Sequence, residues 1–389
     1  MRSCKVLLIL FSFIFLAVHG AYAMPPANPK DALQPQITAE SAILVEATTG
    51  RVLYEKNADR LMYPASMTKI MTCLLALEQV NQSAPVVVSY DAAATDYAEV
   101  DAGNILTMKE LETEMMLESD NGAAVAIAEY MAPSVTRFTE MMTERAARLG
   151  ATHTRFANPN GLPDPSHVST ARDMMKIARF AWQIPAFRQI VGQKTHQVRF
   201  LSGSGESWEA DNTNRLLGEY PGMVGIKTGW TEAAGGCLAG ACTRNGVTLI
   251  SIVMNSIDGA SRFSDTAALM DYGFPRVHLS RGEAKERIER TLWVHDGTTY
   301  KVTAHPRTDV EYLLFDNESV RRCSYTFDMP RFINAPVKQG DKVGDLVLLY
   351  DGQEMGRIDM VADTSMEKGF SLIAHVIDFY DKILGPFLA

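Results

Sequence analysis

"YPASMTKIMT", residues 63–72, sets a serine and a lysine three positions apart in an otherwise apolar run. On a helix, Ser66 and Lys69 share one face a turn apart, within reach of each other. A core helix would carry an apolar residue where Lys69 stands. The lysine is therefore either surface decoration or a base placed to take the serine's proton. Ser66 lies behind Pro64 at the head of the run, where backbone N–H groups and the helix dipole favour developing negative charge. Burial among Ile70, Leu74 and their neighbours would lower the lysine pKa and leave a neutral amine. A second Ser-x-x-Lys, Ser365 to Lys368, has polar, turn-like surroundings and reads as solvated surface.

The segments around this run set the fold class. Upstream, "SAILVEATTGRVLYEKN" (41–57) reads as an edge hairpin about a Thr-Thr-Gly turn. From Pro64 to about Gln79, Ile70, Leu74 and Leu77 form the stripe of a helix. Residues 107–149 keep a helical, methionine-rich pattern whose methionines fill a core. "FANPNGLPDPSHVST" (156–170) is an ordered loop, and Thr170 with Asp173 resembles a capping box opening the next helix. "VGIKTGW", "GCLAGACTRNG" and "VTLISIVMNS" predict an antiparallel meander, with a closing helix at 261–274. Strands at both ends with helices between predict an α+β domain whose sheet joins distant chain segments. After Pro275, short strands and turn signals predict a small all-β domain over about 276–368.

The chain has 389 residues, room for one large and one smaller domain. Arg2 and Lys5, the apolar "VLLILFSFIFLAV" and the small residues Ala21–Ala23 read as a leader over 1–23, leaving 24–275 for the larger domain. The formal net charge is −9, and the leader carries two basic residues and no acidic one. An acidic mature chain argues against a nucleic-acid partner. The spacing of Cys73, Cys237, Cys242 and Cys323 fits no disulfide framework or zinc signature, so buried free thiols are expected and no metal or cofactor is called for. Cys237 and Cys242, five apart on one strand, would face opposite sides.

Two further motifs bear on the Ser66–Lys69 pair. "SDN" (Ser119–Asn121) heads the run "GAAVAIAEY" and by itself could be helix capping. "KTG" (Lys227–Gly229) lies in a strand and by itself could be a hairpin turn. In this order, Ser-x-x-Lys, Ser-x-Asn and Lys-Thr-Gly form the signature of penicillin-binding proteins and class A β-lactamases. With "NPNGLPDPSHVSTARDM" and "VGIKTGWTEAAGGCLAG", the sequence resembles the low-molecular-mass penicillin-binding proteins that are D-alanyl-D-alanine carboxypeptidases. The resemblance covers most of the mature chain. It implies a β-lactamase/transpeptidase-like fold, an antiparallel sheet flanked by helices with a helical subdomain.

The resemblance and the residue chemistry together imply a set of roles. Ser66 would attack the carbonyl between two terminal D-alanines, Lys69 would be its base, and Ser119 would relay the proton to the leaving amine. Asn121 would bind the substrate's peptide groups. Lys227 and Thr228 would bind the terminal carboxylate, while Gly229 admits the substrate strand. The N–H groups of Ser66 and Trp230 would form the oxyanion hole. Peptidoglycan stem peptides are the expected substrates and β-lactams the expected inhibitors. Two positions depart from the family pattern: Gly122 stands where an aspartate is frequent, and Trp230 where tyrosine, phenylalanine or histidine is usual.

A class A β-lactamase would need a Glu-x-x-Leu-Asn stretch between the second and third motifs, which is absent. A D,D-endopeptidase would use the same motifs. A wall-binding module without activity is disfavoured by intact Ser66, Lys69, Ser119 and Lys227. No Gly-x-Ser-x-Gly or His-Glu-x-x-His occurs, and His167, alone among the histidines in lying near the motifs, is taken as structural. Finally, in "FSLIAHVIDFYDKILGPFLA" Phe370, Ile373, Ile377, Tyr380, Leu384 and Phe387 recur on one helical face. Residues 369–389 are thus expected to be an amphipathic helix, and the resemblance implies peripheral attachment outside the cytoplasmic membrane.

Overall fold

The computed structural model describes residues 34–202, 207–370, 372–373 and 376. The leader and most of the C-terminal amphipathic segment lie outside the described residues. Strands β1 (Ser41–Glu46) and β2 (Val52–Lys56) form the expected hairpin. A 3-10 turn, Ala65–Thr68, then leads into α1 (Lys69–Gln79). A short ribbon, β3 (Pro85–Val87) with β4 (Ile105–Thr107), encloses α2 (Tyr90–Ala93). Helices α3 (Met108–Leu117), α4 (Asn121–Met131) and α5 (Val135–Arg148) follow. Beyond the 156–170 loop come α6 (Ala171–Trp182) and α7 (Pro185–Val191). The Thr170 side chain accepts from the Asp173 N–H, the capping bond its spacing predicts.

A second ribbon, β5 (Thr195–Arg199) with β6 (Ser207–Asp211), was not legible beforehand, because each strand buries a single apolar side chain, Val198 and Ala210. The meander β7 (Met223–Thr231), β8 (Gly235–Arg244) and β9 (Val247–Ser256) joins the N-terminal hairpin in the order β2-β1-β9-β8-β7. Chain segments some two hundred positions apart thus close one antiparallel sheet. Its front face carries Ile43, Val45, Ile250 and Ile252 into a core shared with Ile70, Leu74 and the buried Met71, Met115, Met116 and Met174. Its back face is covered by α8 (Ser261–Gly273) through Leu269 and Met270. Cys237 and Cys242 enter the front and back cores respectively, as their spacing on one strand requires; among the described residues all four cysteines are free, and Cys323 is only half-buried where a buried thiol was expected.

The C-terminal part contains β10 (Val277–Arg281), β11 (Arg290–His295), β12 (Lys301–Pro306), β13 (Glu311–Phe315), β14 (Cys323–Asp328), β15 (Phe332–Asn334), β16 (Lys342–Tyr350) and β17 (Gln353–Ala362). Six of them form a sheet in the order β14-β16-β17-β12-β11-β15 around its own core of Leu292, Val302, Leu346 and Met360. The separate β10–β13 pair sits at the junction, where Val277 and Phe315 pack with Leu44 and Leu249 behind the large sheet. Among the described residues no helix is long and apolar enough to cross a membrane.

Candidate active site

The three motifs converge at the outer edge of β7, which among the described residues pairs with β8 alone. Ser66 sits in the 3-10 turn, half-buried, one residue after Ala65, whose φ of 48° is left-handed. Gly229 lies so close to this turn that a Cβ there would come within 3.1 Å of the Ser66 nitrogen and of the Ala65 Cβ. That approach is the physical reason for glycine in the third motif.

Lys69 is fully buried. Its Nζ lies 3.1 Å from Ser66 Oγ, 2.7 Å from Asn121 Oδ1 and 2.7 Å from the Asn160 carbonyl oxygen. Burial holds its pKa well below the ordinary lysine value, the Lys227 charge lowers it further, and Asp120 opposes both. A neutral amine has two N–H bonds and one lone pair. With the two hydrogens on the two short carbonyl contacts, the lone pair is left toward Ser66.

Each of those carbonyls is held by its own framework. Asn121 Nδ2 donates to the Asp96 carbonyl at 2.7 Å and its backbone N–H to the Tyr97 carbonyl at 3.3 Å. Thr95–Ala98 is a turn closed by an Ala98 N–H to Thr95 carbonyl bond of 3.1 Å, with Tyr97 at φ 60°. A bulky residue in that conformation is strained, as is Ser119 at φ 72°. Asp120 caps α4 by accepting from the Gly122 N–H at 2.6 Å and the Ala123 N–H at 3.1 Å, and it also accepts from Val100 at 3.0 Å. A side chain at position 122 would meet Ala98 Cβ at 2.7 Å and the Ala92 carbonyl at 2.9 Å, so the tight α2–α4 packing accounts for glycine there.

Asn160 belongs to the 156–170 loop, which is bolted to α1. Thr72 donates to the Pro159 carbonyl at 2.6 Å. Buried His167 accepts from the Ala157 N–H on Nδ1 at 3.1 Å, so its Nε2 carries the hydrogen and donates to Thr68 Oγ1 at 2.7 Å. Burial pushes the His167 pKa down to about 4. The histidine thus ties the loop to Thr68, the residue immediately before Lys69.

Lys227 is 1% exposed, and among the described residues its Nζ has no hydrogen-bond partner. Burial first, and the Arg262 charge second, lower its pKa to about 7. Thr228 Oγ1 lies 2.7 Å from Thr213 Oγ1, and Thr213 donates to the Leu117 carbonyl at 3.1 Å. Thr228 is therefore the donor of that pair until a ligand redirects its hydrogen. Arg262, on α8, donates to the Gly229 carbonyl at 2.9 Å. Sequence reading missed it, since a lone arginine 33 residues past the third motif carries no local signal. Buried Lys227 and half-buried Arg262, set beside Lys69, thus form a cationic site that an incoming carboxylate would neutralise. Trp230 is 55% exposed at the mouth, over Gly259.

Residues 28–258 match the family model of the D-alanyl-D-alanine carboxypeptidases, and residues 279–368 match the C-terminal domain of penicillin-binding protein 5. The chain is 29% identical over 354 residues to the D-alanyl-D-alanine carboxypeptidase DacF of Bacillus subtilis, covering 89% of each. It is 28% identical to the D-alanyl-D-alanine carboxypeptidase DacC of Escherichia coli, covering 95% of this chain and 93% of that one. The crystal structure of the D-alanyl-D-alanine carboxypeptidase DacD from Francisella tularensis superposes with a TM-score of 0.61 at 24% identity, over 89% of this chain and 99% of that one, a likeness of fold.

Proposed function

The chain belongs to the D-alanyl-D-alanine carboxypeptidase family, and from that premise we propose how its own residues carry the reaction. The enzyme is a serine peptidase and penicillin-binding protein that removes the terminal D-alanine from peptidoglycan stem peptides. β-Lactams bind it as substrate mimics, and it works outside the cytoplasm, where its substrate is.

Neutral Lys69 takes the Ser66 proton as Oγ attacks the penultimate D-alanine carbonyl. The N–H groups of Ser66 and Trp230 stabilise the oxyanion, and the substrate adds to the free edge of β7. Ser119 passes the proton to the leaving D-alanine amine. Lys227, Thr228 and Arg262 hold the terminal carboxylate, and Lys227 is charged once that carboxylate binds. Asn121 commits its Oδ1 to Lys69 and keeps one N–H for the substrate. Water then hydrolyses the acyl-enzyme with Lys69 again as base. The observation that carries this reading is the Lys69 amine, buried and aimed at Ser66 by two carbonyls.

The chain is organised as a leader cleaved after Ala23, a peptidase domain over 24–275, a β domain over 276–368 and an interfacial segment over 369–389. That last segment holds the enzyme on the outer face of the cytoplasmic membrane.

Penicillin should add its own mass to the intact protein, on the tryptic peptide containing Ser66, and Ser66→Ala should lose both the adduct and D-alanine release. Label on any other residue overturns the assignment. A stem peptide amidated at its last D-alanine should be cleaved at least about tenfold more slowly than the acid, because a buried charge-assisted contact is lost.

A further inference from the structure

The outer face of the β domain carries a strip of rings with no part in the chemistry above. Along β11, Leu292 and Val294 point into the core, while Trp293 and His295 alternate outward and are half-buried. Trp293 stacks on Tyr300, with centroids 5.8 Å apart and planes at 25°. His295 stacks on Phe332 of the neighbouring edge strand β15 at 4.6 Å and 14°. Cations flank both pairs: Lys301 Nζ lies 5.9 Å from the Tyr300 centroid and the Arg331 guanidinium 5.5 Å from that of Phe332.

The chain leaves the described structure from the turn between these rings. Gly369 N–H donates to the Asp296 carbonyl at 2.8 Å, and Thr298 N–H to the Glu367 carbonyl at 3.1 Å. Met366, 4% exposed, is tucked in against Gly297 and anchors the exit. Immediately beyond it Phe370, Leu372, Ile373 and Val376 are 74%, 68%, 54% and 48% exposed.

We propose that Trp293, Tyr300, His295 and Phe332, with Lys301 and Arg331, form a second membrane-docking element that enters the lipid head-group layer beside the C-terminal segment. This rests on the reading of 369–389 as interfacial. A segment tied at Gly369 to the turn between the stacked pairs brings the strip with it to any surface in which it lies. The segment is poor in the Lys and Arg that hold interfacial helices to anionic lipid. The strip supplies them, together with the amphipathic aromatic rings that settle at head-group depth. Asp296 and Glu367, at the same turn, are exposed and set a limit on the net attraction.

The test uses the full-length protein with vesicles of phosphatidylethanolamine and phosphatidylglycerol carrying a brominated lipid, and with phosphatidylcholine vesicles as the neutral arm. The chain has four tryptophans, of which Trp182, Trp208 and Trp230 belong to the peptidase part. Wild-type emission should be quenched on binding, and Trp293→Phe should remove most of that quenching while leaving D-alanine release unchanged. Lys301→Gln and Arg331→Gln should each weaken partition to the anionic vesicles about fivefold and leave the neutral ones unaffected. Normal vesicle binding with Trp293 unquenched overturns the strip and leaves the C-terminal attachment standing. Absence of any binding by the wild type overturns the attachment itself. A Trp293 response to soluble glycan strands and none to vesicles assigns the strip to the wall polymer and overturns the proposal.

Discussion

The cations of the catalytic cleft and those of the β-domain sheet are the same residue types in opposite situations. Lys69 and Lys227 are withdrawn from water and Arg262 is half-buried, and among the described residues none has a carboxylate within ion-pairing distance. Their pKa values are all lowered, by burial first. On the β16–β17 hairpin, Arg357 pairs with Glu354, Asp328 and Asp345, and Lys342 with Asp345 and Asp359. Side-chain hydrogen bonds raise both of their pKa values. Neutral carbonyls in place of carboxylates favour the free amine that the proposed base requires. Where carboxylates are supplied, a lysine remains an ammonium and does no chemistry.

The sharpest way to break this contrast is to give Lys69 a carboxylate. Asn121→Asp is nearly isosteric and would put an anion on the atom now 2.7 Å from Nζ. An opposite charge at that distance raises a lysine pKa and so favours the ammonium over the free amine. The expected loss in acylation rate at pH 7 is about a hundredfold, with the acid limb of the pH–rate profile moved upward by more than about one unit. Stopped-flow acylation by a fluorescent penicillin between pH 6 and 10, with ~0.1-unit control, measures both. An unchanged limb would mean that Asn121 does not set the protonation of the base.

Buried carboxylates in α3 supply a middle case. Glu112 and Glu114 are fully buried, each with one carboxyl oxygen lacking a partner, and burial raises both pKa values to about 8. Gln82 donates to Glu112 and Trp208 to Glu114, while Asp120, Glu118 and Glu99 all disfavour ionisation of Glu114. These groups hold protons in the native state that the unfolded chain releases near pH 4.3. Stability therefore falls as pH rises from there to about 8 and levels off above it. Glu112→Gln and Glu114→Gln should each stabilise the protein at pH 8 by about 1–3 kcal/mol and narrow the gap between melting curves at pH 5 and pH 8. A gap of unchanged width would show that these carboxylates are already ionised in the native state.

The same contrast explains what could be read in advance. The meeting of Ser66, Lys69 and Asn121 could be anticipated because short motifs encode side chains directly. The meander and the terminal hairpin were legible through their apolar runs. The other groups that aim Lys69, directly or by holding Asn121, were not, since the Asn160, Asp96 and Tyr97 contacts are backbone carbonyls that every residue possesses. Their direction comes from tertiary structure: a loop bolted down by His167 and Thr72, and a strained turn at Tyr97. Arg262 was missed for the related reason that α8 reaches Gly229 only once the sheet is closed.

The smallest effect is expected on the other side of the comparison. Arg357 makes more ion pairs than any catalytic lysine, yet its side chain is 42% exposed and its partners are reached by water. Coulomb attraction there is weakened by solvent, ordering a long side chain opposes it, and salt screens what is left. The hairpin itself is held by an apolar core through Leu346, Leu348 and Met360, which the substitution does not touch. Arg357→Ala should therefore leave the acylation rate unchanged and lower the urea midpoint only slightly at low ionic strength. That decrease should vanish in about 0.5 M salt, where the screening length is a few ångströms. A large loss that persists in high salt would mean that these exposed pairs act as a buried network does, and the contrast between the two sets of cations would no longer hold.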